Sequence, residues 1–217
     1  MQEMKTVIEA LKLGGAMVYP LAVLAVLAIS VMLDKAFVYL RYMRIPGHLI
    51  EFVETYDFSW SDFDRHLSGL GKGNYFQRFF RVVVENRAKP VWWVESRAGD
   101  EAQLIEGALS RGLWMLETIV TAAPLLGLFG TITGMMRAFN LIGKNGLVDP
   151  TGVTGGVAQA LIATALGLVI AVIALFAFNF FSRRQARMLD EMERLGTRLV
   201  DHIRMNGPSK EDINETA

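Results

Sequence analysis

Residues 157–181 read VAQALIATALGLVIAVIALFAFNFF, a run without a single charge that sits inside a longer charge-free stretch, 150–182. A helix crossing the hydrocarbon core of a bilayer needs about 20 such residues, at about 1.5 Å of rise each. Two further stretches have the same character: LGGAMVYPLAVLAVLAISVML at 13–33 and TIVTAAPLLGLFGTITGMM at 118–136. Buried helices of soluble proteins usually keep a polar face, and these barely have one. In lipid, a helix satisfies its own backbone groups, which open strands and irregular chain do not. The fold class expected is therefore an all-α membrane protein with three transmembrane helices.

Composition agrees with this. Of 217 residues, 52% are apolar and 20% charged, and Lys+Arg (22) equals Asp+Glu (22). Disordered chains combine low hydrophobicity with high net charge, so that class is excluded. A neutral chain has no basic excess for phosphates, which argues against a nucleic-acid partner. The absence of cysteine removes disulfides, thiolate metal sites and thiol nucleophiles. No Walker loop, HExxH or GxSxG occurs, so neither an enzyme nor a cofactor is expected. His48, His66 and His202 are scattered and read as ordinary surface or core residues.

Basic residues near the span ends set the orientation. Lys35, Arg41 and Arg44 follow the first span, and Arg183, Arg184 and Arg187 follow the third. Both regions are expected on the cytoplasmic side, with the N-terminus outside. The division expected is an N-terminal surface helix at 1–12, a first span at 13–33 and a cytoplasmic helical region at 34–112. A second span at 113–139, an outer loop at 140–156 and a third span at 157–181 follow. A cytoplasmic helix at 182–206 and a loose tail at 207–217 complete it. The first span is read as a retained helix rather than a signal peptide, because Glu3 and Glu9 spoil a basic leader. The Gly-rich loop is read as a turn, with Asp149 or Thr154 capping the third helix.

Residues 34–112 balance eleven basic against eleven acidic residues. Within them, 68–74 carry turn chemistry, 75–89 read as a helix ended by Pro90, and Trp92 and Trp93 read as packing or interface residues. The pattern of 100–117 is helical and runs into the second span. After the third span, Met188, Met192, Leu195, Leu199 and Ile203 form a helical stripe, read as helix–helix core. The second and third helices are thus expected to be long and to continue into the cytoplasm.

The second span carries Gly127, Gly130 and Gly134, and the third carries Ala160, Ala163, Gly167, Ala171 and Ala174 on one broad face. Small residues let membrane helices approach closely where lipid supplies little hydrophobic drive. Such faces suit packing of the two helices on each other and a multi-subunit bundle, whereas the bulky first span suits lipid. Polar groups inside the spans are few; Thr131 and Thr164 sit near mid-membrane, and Gln159 sits in the outer part of the third helix. Thr164 lies about 140° around the helix from Gln159, at about 100° per residue. A buried threonine commonly bonds a preceding carbonyl. A primary amide in a dry setting needs partners, so Gln159 is expected to face a cavity or a partner helix. Glu117 and Arg137 bracket the second span, as anchors or, for Glu117, as a proton transfer group at the inner edge.

At 123–134 (APLLGLFGTITG) and 156–167 (GVAQALIATALG) the chain resembles the ExbB/TolQ/MotA family of proton-channel subunits, most of all ExbB. Pro124, Gly127, Phe129-Gly130-Thr131 and Gly134 fit the family's second-helix motif. Ala160-Leu161, Ala163-Thr164 and Gly167-Leu168 fit its third. The resemblance implies a homo-pentamer in the inner membrane of a didermic bacterium, its second and third helices around a central pore. It implies a single-span ExbD- or TolR-like partner in that pore, whose Asp carries the proton. Proton-motive force would then drive TonB-like work at the outer membrane. Thr131 and Thr164 match the family's pore threonines. The chain departs at Gln159, where ExbB and TolQ typically carry Glu, and at Ile173, where a Pro is usual. The resemblance thus leaves Gln159 and the threonines as hydrogen-bonding relays, with Glu117 a partial substitute carboxylate. It keeps a TolQ-like role in the Tol-Pal system and a non-conducting scaffold as alternatives. Protons are favoured over sodium, since no extra carboxylates suggest a sodium site.

Overall fold

The computed structural model describes residues 15–43, 47–55, 58–71, 73–143 and 150–206. Seven helices are found among them: α1 (Val18–Tyr42), α2 (Gly47–Glu54), α3 (Trp60–Ser68), α4 (Tyr75–Asn86), α5 (Val91–Ser110), α6 (Leu113–Gly143) and α7 (Pro150–Asn206). No strand occurs among the described residues. The chain divides into two compact units. The first takes residues up to Asp34 together with Gly112–Phe181, and the second takes Lys35–Arg111 together with the chain from Ser182. The expected surface helix at 4–11, Arg44, Asp149 and the tail from 207 lie outside the described residues.

Three helical stretches are long and apolar enough to cross a membrane, lying within α1, the region ending in α6, and α7. The all-helical, three-span class holds. Side chains such as Leu125, Phe139, Leu161 and Phe176 stand 63–72% exposed. Water does not tolerate such a continuous apolar surface, and lipid does. The chain is a multi-pass membrane protein.

Among the boundaries that differ from expectation, two bear on the second and third spans. The helical pattern over 100–117 does not run straight into the second span. Arg111 is extended (ψ 124°) and Gly112 has φ +85°, so α5 ends at Ser110 and α6 starts afresh at Leu113. Glycine adopts that left-handed φ without the penalty a Cβ brings. The second difference is the Gly-rich stretch expected as a loop to 156. It is helical from Pro150, a residue well suited to the first helical position. Thr154 therefore lies inside α7 and not at its cap. Glycine disfavours helix by about 1 kcal/mol relative to alanine. Here packing outweighs that preference, because Gly156 lies against Ala138 and Gly134 of α6.

In the second unit the α7 stripe is core, as read. Met188, Met192, Leu195, Leu199 and Ile203 are buried in one cluster with Phe63, Phe76, Phe80, Val83, Ile105 and Leu109. Asn74, the last residue of the stretch read as turn chemistry, has a side-chain oxygen that accepts from the backbone N–H of Phe76 (2.9 Å) and Gln77 (3.4 Å) and so caps α4. The helix expected over 75–89 stops at Asn86 with Arg87 as its cap, so Pro90 does not end it directly and stands instead at the start of α5. Trp92 is exposed, and Trp93 lies under the Arg97 guanidinium at 4.7 Å. His202 sits 3.0 Å from the Val53 carbonyl oxygen and stacks on Phe58 at 4.3 Å, while His66 contacts the Asp62 carbonyl oxygen at 2.7 Å. Both have structural roles; the side chain of His48 lies outside the described residues.

Lys35 counts in the sequence among the basic residues that set the orientation after the first span. In the structure it is buried, and its ammonium donates to the Leu109 carbonyl at 2.7 Å. Leu109 belongs to the last turn of α5, where carbonyls lack helical partners. A cation there satisfies one of them and complements the helix dipole. Lys35→Met keeps the stem and removes the charge, stranding that carbonyl. The expected loss is about 2 kcal/mol, read as earlier thermal unfolding followed by circular dichroism. Lys35→Arg should lose less.

Candidate functional site

The motif residues of the second and third spans meet along one antiparallel contact. Gly134 and Ala138 of α6 face Gly156 and Ala160 of α7, Gly130 faces Ala163, Gly127 faces Ala163 and Thr164, and Ala123 faces Gly167. The spacing of three and four residues puts each set on one helix face. Ala123, Ala138, Ala160 and Ala163 are all at most 3% exposed. The approach is backbone to backbone. A Cβ on Gly167 would fall 2.5 Å from the Ala123 carbonyl oxygen, and one on Gly130 2.5 Å from the Ala163 Cβ. Glycine is required at both positions by space.

Thr164 lies in this contact. Its hydroxyl donates across the helix pair to the Gly127 carbonyl at 3.0 Å. Thr131, one turn further along α6, donates to the Leu128 carbonyl of its own helix at 2.6 Å. Thr133 does likewise, to Phe129 and Gly130 at 3.1 Å each. Each hydroxyl spends its proton on a backbone carbonyl and keeps oxygen lone pairs that can accept. Pro124 lies within α6 and removes one backbone donor from the helix three residues before Gly127.

The remaining candidates are not gathered with the threonines. The Gln159 side-chain amide packs on Gly15, just before α1, at a position where a Cβ would collide with it. Gly15 has φ +70°, so glycine is suited there by backbone as well as by space. The amide expected to face a cavity or a partner helix thus has a neighbour within its own unit. Glu117 is exposed in the early turns of α6. A rise of about 1.5 Å per residue puts it roughly 21 Å along the helix from Thr131. Arg137 is exposed near the other end. Ala171 and Ala174 continue the buried face of α7 beyond Gly167. Ile173, at the position of the expected proline, is half-exposed in unbroken helix.

Sequence reasoning missed Ala123, Ala138 and Gly156 as members of the contact. Ala123 and Ala138 are one helical turn outside the glycines, at i−4 and i+4, which was the available signal. Gly156 was hidden by its reading as loop. No group of His, Cys, Asp and Glu suited to a metal ion occurs among the described residues.

Comparison with known proteins places this contact in a family. Residues 72–194 match the sequence model of the MotA/TolQ/ExbB proton channel family. An ExbB-like biopolymer transport protein of Synechocystis sp. is 27% identical over 191 residues, 86% of this chain and 74% of that protein. A second from the same organism is 28% identical over 174 residues, 77% of this chain and 81% of that protein. The biopolymer transport protein ExbB of Xanthomonas campestris is 39% identical over a shorter 93 residues, 43% of this chain and 37% of that protein.

Proposed function

Since the chain belongs to the MotA/TolQ/ExbB proton channel family, we propose that it is an ExbB-like motor subunit of an inner membrane. In this reading five copies surround a pore lined by α6 and α7. A single-span ExbD-like partner threads the pore, and its membrane carboxylate carries protons down the proton-motive force to power a TonB-like protein. The N-terminus faces the periplasm and the C-terminus the cytoplasm, from the Lys and Arg after the first and third spans.

The observation that carries the reading is the Thr164–Gly127 bond inside the glycine-packed contact, within the residues matched by the family. A charge moved across 100 mV gains roughly 2.3 kcal/mol. An ionised carboxylate at mid-membrane costs about 2.5–3.5 kcal/mol on insertion scales. The partner's carboxyl therefore needs acceptors when protonated and donors when ionised. Thr131 and Thr164 supply both: their lone pairs accept from the acid, and rotation of the hydroxyl away from its carbonyl donates to the anion. Gln159 is assigned the outer end of the path and Glu117 the inner end. An amide does not exchange protons at ordinary pH, so Gln159 holds water or bonds and the partner carries the charge.

Glu117→Gln is expected to lower proton flux several-fold without altering assembly, measured in liposomes. Unchanged flux would remove Glu117 from the path. The cellular role is tested by expressing the chain with its partner in strains lacking either the TonB-system energiser or the Tol-Pal one. Restored TonB-dependent uptake supports the ExbB-like role. Restored envelope integrity alone would transfer the chain to the TolQ-like role.

A further inference from the structure

Pro124 leaves a polar group on α6 that the helix does not pair in the ordinary way. A helical residue donates its N–H to the carbonyl four residues back, and proline has no N–H to donate. The Val120 carbonyl therefore lacks that partner. The next residue, Thr121, is exposed, and its hydroxyl donates to the Thr118 carbonyl at 2.9 Å. Its oxygen keeps lone pairs that can accept. Glu117, one turn before Thr121, is exposed and forms no ion pair among the described residues.

These groups share one face of α6. At about 100° per residue, Thr121 and Thr131 stand about 40° to either side of Glu117, and Pro124 about 20° from it. The face adjoins the one that packs on α7 through Ala123, Gly127 and Gly130. Along the axis Thr121 lies about 6 Å from Glu117 and about 9 Å from Gly127. The Gly127 carbonyl is the one that Thr164 bonds. Thr121 thus falls inside the roughly 21 Å of rise between Glu117 and Thr131. Thr118 and Thr133 also bond their own helix, but they stand about 100° and about 160° from Glu117, off this face.

A water inside a protein needs two or more polar partners. We infer that the Thr121 hydroxyl and the Val120 carbonyl hold water on this face of α6, as a wet inlet joining Glu117 to the level of Thr164. This rests on the motor reading proposed above, which turns the face toward the pore. The partner's carboxylic acid gives its proton to the near end of the water chain. The far end passes one to the Glu117 carboxylate, and that acid releases it to the cytoplasmic solvent. The water and Glu117 end as they began, the partner is left ionised, and one proton has moved. Thr121 positions the water and does not itself carry the charge. A threonine facing lipid would be satisfied by its bond to Thr118 and would hold no water.

The chain contains no cysteine, so Thr121→Cys carries the only thiol. Thiols react through the thiolate, which water favours and apolar surroundings suppress. The complex with its ExbD-like partner, in inside-out membrane vesicles, is treated with a charged thiol reagent. Modification of Thr121→Cys is expected to be at least about tenfold faster than that of Val26→Cys, a position 66% exposed on the first span. In liposomes, Thr121→Val should lower proton flux at least about fivefold with assembly unchanged. Thr121→Ser should restore flux, and Thr118→Val should leave it at the parent level. Modification no faster than that of Val26→Cys overturns the inference, because the face is then dry. Parental flux in Thr121→Val, or flux lost equally in Thr121→Ser, also overturns it, by leaving the hydroxyl off the path or giving it a packing role. A parent complex that conducts nothing while Thr121→Cys is modified condemns the motor reading and leaves the water-holding face standing.

Discussion

Replacing Gly167 with valine is expected to separate α6 from α7 and to collapse the yield of folded protein. The Cβ alone would fall 2.5 Å from the Ala123 carbonyl oxygen and 3.2 Å from the Gly127 Cα, both backbone atoms. No side chain can swing away to make room. The helices must part by roughly 1 Å, which loses dispersion contacts along the whole pair, not at one position. Overpacking of a tight core typically costs about 1–3 kcal/mol, and an effect at the top of that range is expected here. Lipid offers no hydrophobic penalty to push the helices back together. Gly167→Ala should be intermediate, and Leu168→Val, on the half-exposed side of the same helix, should be near neutral. Resistance to denaturation in mild detergent is the measurement. Equal stability of Gly167→Val and the parent would mean that the close α6–α7 contact does not hold the first unit together.

The second large effect concerns flux rather than stability. Thr164→Val keeps the shape and removes the hydroxyl. The Gly127 carbonyl loses its cross-helix donor, yet it lies in continuous helix, where the backbone also donates to it. Interhelical hydrogen bonds in membranes average about 0.6 kcal/mol, so assembly should survive. Conduction should fall at least about tenfold, the equivalent of 1.4 kcal/mol on the barrier, because under the proposed function the partner's carboxyl would lose a group that both accepts and donates. Thr131→Val should act in the same direction, and the double variant should be silent. Thr133→Val, whose hydroxyl also bonds its own helix, serves as the comparison and should retain flux. Equal flux in all three single variants would take the threonines out of the path. A non-conducting scaffold would show no flux to lose.

Much of this arrangement was legible in the residues. The spans are a bulk property, since long charge-free stretches have few other homes. The small-residue faces and the Met188–Ile203 stripe follow from helical periodicity and need no knowledge of the partner element. What was not legible depended on which element faces which. Lys35 reads only as one of the basic residues that set orientation until its ammonium is seen at the end of α5. Gln159 reads as a group seeking a cavity until Gly15 is seen against it. The 151–156 stretch reads as loop because glycine is a weak helix former, and it is helical because Gly134 and Ala138 lie against Gly156. The break at Arg111–Gly112 carried a glycine, but the amphipathic pattern continues across it and masks the stop. Periodicity marks the faces and is blind to a single left-handed residue.

The central claim is that this family member conducts protons together with a partner that carries them. Its most direct test is proton uptake by liposomes under an imposed potential. The chain is reconstituted alone, then with its ExbD-like partner, then with a partner whose membrane Asp is changed to Asn. Uptake confined to the complex with the intact partner is the predicted result, and it would place the proton carrier on the partner and the relays on Thr131 and Thr164. A correctly assembled complex that shows no uptake in any of the three preparations would contradict the account and leave the chain as a membrane scaffold.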